Sequence, residues 1–343
     1  MKGRNAQRLT ISKVMLTGLI SLGVLLLVII ISLGLGPAGI SLGEIWKWLL
    51  GHGSFDETAR MILFKIRLPR ILLAGLVGFS LSLGGVVFQA LLRNPLAEPF
   101  ILGVSSGAAV GAIVGIVFGV GFHIGVPFLS FVGALSTVLL VLSISSRHGG
   151  LESSSLLLTG VIVNAFFTAV IMFFIATTSG SRLHSMLFWL YGDLSQSKLI
   201  QVSVGLPLIL FVSAIMYGFS RHFNLIVGGE DSALQMGVEV KVVQWVSFLG
   251  ISLITGLAIS FCGIIGFVGL IVPHLTRMLL GPDHRVLIPA AAVGGASFLI
   301  AADTLARTII SPSELPVGVV TAFLGAPFFI YLLRKRGSQW TQN

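Results

Sequence analysis

The chain has 343 residues, 55% of them hydrophobic and only 10% charged, with a mean hydropathy of +1.03. Soluble domains carry about 25% charged residues, so this composition excludes a water-soluble globule and makes lipid the main solvent. The formal charge of +9 sits mostly in loops and termini, where positive-inside bias accounts for many of the bases without nucleic acid. The single cysteine, Cys262, excludes an intrachain disulfide.

In lipid each backbone polar group must be satisfied within its own segment, so only helices or closed barrels cross a membrane. The apolar runs here are continuous and close to twenty residues long, which selects helices. Lys2, Arg4, Arg8 and Lys13 precede an apolar run over 14–35. That run is too long for a signal-peptide core and lacks a small-x-small cleavage site, so it reads as a retained first helix. Further helices are predicted at 69–91, 100–120, 125–146, 154–176, 198–219, 242–262, 264–280, 286–308 and 316–334, with Gly263 separating two nearly continuous spans.

The fold class is therefore an all-α integral membrane protein of about ten transmembrane helices. Residues 1–343 form a single transmembrane domain, with four helices in 69–176, a cytoplasmic loop over 220–241 and four more helices in 242–334. Ten spans put both termini on one side. Both ends are basic, the last helix closing on Arg334, Lys335 and Arg336, which places both termini in the cytoplasm. On this topology thirteen Lys and Arg lie inside and eight outside, five of the eight between Lys47 and Arg70. That excess on the outer side is explained by an acidic extracytoplasmic partner.

Gly103, Gly107, Gly111, Gly115 and Gly119 recur every four residues in the third predicted helix. They form one small-residue face for close helix packing. Arg67-Leu68-Pro69-Arg70 opens the second helix at the outer surface, with Pro69 suited to a first turn. These arginines are read either as snorkelling at the interface or as a docking surface for carboxylates. Arg307 ends the ninth helix on the same side, and Asp303, four residues earlier, is its expected intrahelical partner.

Arg93 to Pro99 and Gly281 to Arg285 read as rigid cytoplasmic turns. In the longest cytoplasmic connection, Glu230, Asp231, Ala233, Leu234, Met236 and Gly237 predict a short amphipathic helix ending at a glycine cap. Asn164 is an isolated polar group in the fifth span, read either as a helix–helix hydrogen bond or as pore lining, with Thr168 one turn on. The seven histidines lack metal-ligand spacing. No lysine follows a glycine, so no phosphate-binding loop is present and any ATP must be bound by another subunit. No cofactor, metal site or catalytic residue is expected.

Four blocks together carry a family resemblance. They are Arg67 to Arg70; Phe88-Gln89-Ala90 with Asn94 to Pro99 and Leu102 to Ser105; Gly266 to His274 with Arg277 and Asp283 to Arg285; and Ala302-Asp303 with Ala306-Arg307, Glu314 to Thr321 and Gly325 to Pro327. Over nearly its full length the chain resembles the FecCD-type permease subunits of bacterial ABC importers for iron-siderophores, haem and cobalamin. The resemblance implies the type II importer architecture in a bacterial or archaeal plasma membrane. It implies pairing with a second copy of the chain around a central pathway lined by the fifth and tenth helices. Two ATP-binding subunits would bind below and a substrate-binding protein above. Arg67, Arg70 and Arg307 match the docking positions, and Glu230, Ala233, Leu234 and Gly237 the ATPase-coupling segment. Met236 departs from the family's usual Leu. A ferric siderophore is the expected cargo, with haem and cobalamin open. The competing class is an ion-coupled secondary transporter, which calls for paired intramembrane acids.

Overall fold

The computed structural model describes residues 11–36, 42–52, 56–146 and 153–340. Lys2, Arg4, Arg8 and Arg147 lie outside them. The described residues are helical, without a strand. In chain order the helices are α1 (Ile11–Gly34), α2 (Leu42–Leu49), α3 (Glu57–Met61), α4 (Leu68–Leu91), α5 (Val104–Val117), α6 (Gly125–Ser145), α7 (Ser153–Thr177) and α8 (Ser181–Tyr191). They continue with α9 (Leu199–Gly218), α10 (Ser220–Val227), α11 (Glu230–Gln235), α12 (Val240–Cys262), α13 (Val268–Leu280), α14 (His284–Ala306) and α15 (Val317–Trp340).

Seven of these helical stretches are long and apolar enough to cross a membrane, and three shorter apolar helices cover Val104–Val117, Val268–Leu280 and Val317–Leu332. Each of the ten predicted spans coincides with one of them. The elements not predicted are short. A π-helical turn over Ile62–Arg67 joins α3 to α4, making one helical stretch of 35 residues. The helices α2 and α8 sit in connections read as loops, and the 220–241 loop folds into two helices rather than one.

Burial ranks the helices. The membrane window of α4 is 83% buried and that of α1 is 0% buried, so α4 is the central post and α1 a lipid-facing flank. Around α4 pack α9, α12, α13 and α14, while α5 pairs with α6. Small residues set these distances. A β-carbon at Gly78 of α4 would collide with the carbonyl oxygen of Gly295 in α14, and one at Gly85 with that of Gly269. Ser82 Oγ donates to the carbonyl of Ala291 at 2.6 Å across the same seam.

The glycine stripe works as expected in part. Gly107 and Gly111 lie against the backbone of α6, and Gly115 against Val126 and Leu129. Gly103 and Gly119, however, fall outside the helix. Gly103 follows a 3-10 turn over Pro99–Leu102, and Gly119 ends the span in open space. The prolines at 95 and 99 delay the start of α5, and the left-handed Gly119 follows its end at Val117, so the predicted 100–120 span is shorter at both ends. Cys262 is buried, and its Sγ donates to the carbonyl of Ala258 at 3.1 Å.

Gly263 ends α12 at φ 73, and α13 begins only at Val268. The stretch between them is not helical. Pro99 packs on Gly84 and Gly269, and Gly84 lies seven residues, about 10 Å, from the inner end of α4. The stretches around Glu98 and Phe267 therefore meet within the membrane. Irregular backbone at that depth is tolerated only where protein buries it or it lines a cavity.

Candidate functional site

Three stations carry polar chemistry, one at each end of the helices and one between. At the end predicted to face outward, α4, α14, α1 and the segment before α15 converge. Arg70 is buried and clamps Asp303, with Nε 3.0 Å from both carboxylate oxygens and Nη2 2.9 Å from Oδ1. Its Nη1 reaches Glu314 at 2.6 Å. Arg307 donates through Nη2 to the carbonyl and hydroxyl of Ser32 at 2.6 and 2.7 Å. The expected pairing of Arg307 with Asp303 is present only as a 3.9 Å contact. The short bonds of Asp303 go to Arg70 instead, because the neighbouring helix offers a bidentate fork that a same-helix side chain cannot match.

Arg67 donates to the carbonyl of Leu33. The structure thus brings Arg67, Arg70 and Arg307 together, with accessibilities of 4, 5 and 3%. They are neither snorkelling into water nor offered as an exposed patch. The cluster holds three cations and two carboxylates. Among the described residues, Arg67 Nη2 and Arg307 Nε are buried without a hydrogen-bond partner. Glu314 is the partly exposed member, with 38% of its side chain accessible. Arg60, Lys65, Arg182 and Lys198, all predicted to lie on this side, are exposed.

Between the ends, α7 turns an apolar face outward, with Val161, Phe166 and Phe173 all more than 60% exposed. On α15, Phe323 and Ile330 are 76 and 67% exposed. Asn164 lies on the exposed face of α7, and Thr168 is half-buried, its hydroxyl bonded to the Asn164 carbonyl at 2.8 Å. Between these helices sits Glu98, whose carboxylate accepts from the backbone N–H of Phe267. The Phe267 ring presses on Gly325 of α15, and Gly160 of α7 lies against the Ile101 carbonyl. The expected cytoplasmic turn therefore reaches deeper than its sequence indicates, placing Glu98 at membrane depth.

At the opposite end, predicted to face inward, α10 and α11 form an arm. Val238 N–H bonds the Ala233 carbonyl at 3.0 Å and Gly237 N–H the Leu234 carbonyl at 2.9 Å. With Gly237 at φ 81, these bonds make the left-handed cap expected at a helix C-terminus. Ala233 is fully buried, whereas Leu234 and Met236 are 55 and 68% exposed. Glu230 accepts from Gln244 of α12 at 3.4 Å.

Asn224 of α10 reaches the turn before α14. Its amide donates to Asp283 at 3.0 Å, and its oxygen accepts from the backbone N–H of His284 at 2.9 Å. Asp283 caps α14 through the Arg285 N–H. Burial is the largest single influence and raises the Asp283 carboxyl, but the bonds from Arg285 and Asn224 together with the Arg285 charge outweigh it and hold the group at about 2. Sequence reasoning missed Ser32, Glu314 and Asn224 as partners. Each lies far along the chain from the group it serves, and spacing carries no signal of that kind.

A family model described as the FecCD transport family matches residues 24–335. The chain is 45% identical over 280 residues to the cobalamin import system permease protein BtuC of Halobacterium salinarum, covering 82% of this chain and 75% of that protein. It is 37% identical over 317 residues to the iron(3+)-hydroxamate import system permease protein FhuB of Bacillus subtilis, covering 89 and 79%. A solved structure described as an inward-facing conformation of a metal-chelate type ABC transporter superposes with a TM-score of 0.82 at 33% identity. That match covers 93% of this chain and 98% of the other.

Proposed function

The chain belongs to the FecCD transport family, and on that premise we propose that it is the membrane permease of an ATP-driven importer for a metal chelate. In this reading ten helices cross the cytoplasmic membrane with both termini inside. Two copies pair so that the exposed faces of α7 and α15, including Asn164 and Thr168, flank the pathway. The observation that carries the proposal is the α10–α11 arm, whose rigid cap presents Leu234 and Met236 to solvent beside Glu230 and Gly237. An exposed apolar tip on a fixed arm is what a soluble partner needs for purchase. Two ATP-binding subunits are the partners we assign to it, since the chain carries no phosphate-binding loop of its own.

On the outer side we assign docking of a substrate-binding protein to the face above Arg67, Arg70 and Arg307. The cluster is one negative charge short, and two buried N–H groups await an acceptor. A partner carboxylate entering past the accessible Glu314 would supply both. The exposed Arg60 and Lys65 would steer it there by long-range attraction. Switching the pathway between outward and inward openings requires ATP state to act unequally on the two conformations.

The ion-coupled alternative calls for paired acids within the membrane, whereas Asp303 is committed to Arg70 and the carboxylate of Glu98 to the Phe267 N–H. A ferric siderophore remains the cargo we take from the sequence. The 45% identity to a cobalamin permease supports a corrinoid as the second reading. Vesicles containing the chain with its ATPase and binding-protein partners should accumulate chelate only when ATP is supplied, and vesicles with the chain alone should accumulate none. Offering ferric hydroxamate, haem and cobalamin in parallel identifies the cargo. Accumulation by the lone chain under an ion gradient would overturn the reading.

A further inference from the structure

The arm packs on α4, α9, α12 and α14, and two hydrogen-bonded contacts tie it to particular side chains of the membrane helices. One is Glu230 to Gln244 of α12 at 3.4 Å, close to the outer limit for a hydrogen bond. The other is a compact joint with α14. There the Asn224 amide donates to Asp283 at 3.0 Å while its oxygen accepts from the His284 N–H at 2.9 Å and lies 2.7 Å from His284 Nδ1. Next to it the ring of the fully buried Phe223 lies tilted by 55° to the His284 ring, with centroids 6.0 Å apart. Only a side chain with a donor and an acceptor on one head satisfies both Asp283 and the His284 N–H. Alanine removes both bonds. Aspartate keeps the acceptor but sets a second carboxylate against Asp283.

The joint sits at the start of α14. That helix runs 23 residues, with Pro289 in its second turn, about 35 Å. It is held along its length by the Gly78–Gly295 approach and the bond from Ser82 to the Ala291 carbonyl. Its far end carries Asp303 and leads into Arg307, two members of the outer arginine cluster. One rigid element therefore connects the arm on one side to the outer cluster on the other.

We propose that Asn224 is the positioning residue that fastens the α10–α11 arm to α14, so that displacement of the arm travels along α14 to the Asp303–Arg70–Arg307 cluster, and docking at that cluster travels back. This rests on the permease reading and goes beyond it by naming the joint and the element that carries the signal. Coupling through a network has physical content only when a defined element is biased by both sites, and α14 is that element here.

The test uses the complete transporter in vesicles and compares basal ATP hydrolysis, hydrolysis stimulated by the loaded binding protein, and uptake. Asn224→Ala should lower the stimulated component and uptake by about fivefold or more, with assembled complex and basal hydrolysis within about twofold of the parent. Asn224→Asp should lose coupling similarly. The swap Asn224→Asp with Asp283→Asn restores a donor–acceptor pair and should recover at least about half of the lost stimulation, whereas Gln244→Ala should stay within about twofold of the parent.

A parent-like ratio of stimulated to basal hydrolysis in Asn224→Ala would overturn the proposal. So would a swap variant that assembles yet recovers nothing, or a loss of coupling matched by an equal loss of assembled complex, which assigns Asn224 a folding role only. Absence of ATP-driven uptake in the parent itself would strike the permease reading instead, so the two failures are told apart.

Discussion

Asp303 shows how much a single carboxylate does in this fold. It is 1% accessible, takes three bonds from Arg70 and lies 3.9 Å from Arg307. Removing one partner from a buried ion pair costs roughly 3–5 kcal/mol, because the remaining charge is left uncompensated. Asp303→Asn should therefore lower the unfolding midpoint of the purified chain clearly, while Glu314→Gln, at the accessible rim, should shift it far less. Thermal unfolding in detergent reads both. The Arg70–Asp303 pair spans 233 positions, so the sequence disclosed the residue types and their end of the molecule but not who binds whom. The four-residue spacing pointed to Arg307 because local rules see only one helix at a time.

Asp283 gives a pH signature on the opposite side of the membrane. Its folded value of about 2 lies below its ordinary 3.8, so the stability it contributes is fully present above about pH 4 and is lost as pH falls toward 2. The gap in unfolding midpoint between the parent and Asp283→Asn should hold constant from neutral pH down to about 4 and close below it. A gap that narrows between pH 7 and 5 would point to a different group.

Among the elements, the long spans were legible because hydrophobic length is a direct readout of bilayer thickness. The break at Gly263 was also visible, since a glycine between two apolar runs has few other uses. The depth of Glu98 was not legible. Asn94 to Pro99 has the composition of a surface turn, and Leu96 N–H does bond Asn94 Oδ1 at 2.9 Å as such turns do. What draws the segment inward is the groove that Gly84 and Gly269 leave for Pro99, a property of three distant stretches at once. The arm was found as one helix and missed as two, because Ser220, Arg221 and His222 read as the start of a polar loop, whereas only Phe219 separates α9 from α10.

The cap of the arm makes its own prediction. A β-carbon at Gly237 meets nothing within 4 Å, but the backbone stands at φ 81, a conformation that costs an L-residue about 1–2 kcal/mol. Gly237→Val should leave the amount of protein in the membrane unchanged and reduce ATP-coupled uptake by loosening the tip. Unaltered uptake would show that the tip does not transmit force.

At the scale of the whole molecule, the helical stretch from Glu57 to Leu91 has a consequence for how anything can rest on the protein. Its 35 residues measure about 50 Å along the axis at 1.5 Å each, against a hydrocarbon layer of about 30 Å. We expect the surplus, which carries the exposed Arg60 and Lys65, to stand clear of the lipid as a pedestal of fixed height. Deleting one turn from it would lower the seat by about 5 Å. On the paired arrangement proposed above, a rigid visitor resting on both copies would then tilt, and its affinity should drop while insertion of the chain stays normal. A wobbling rather than a level platform would be the visible result.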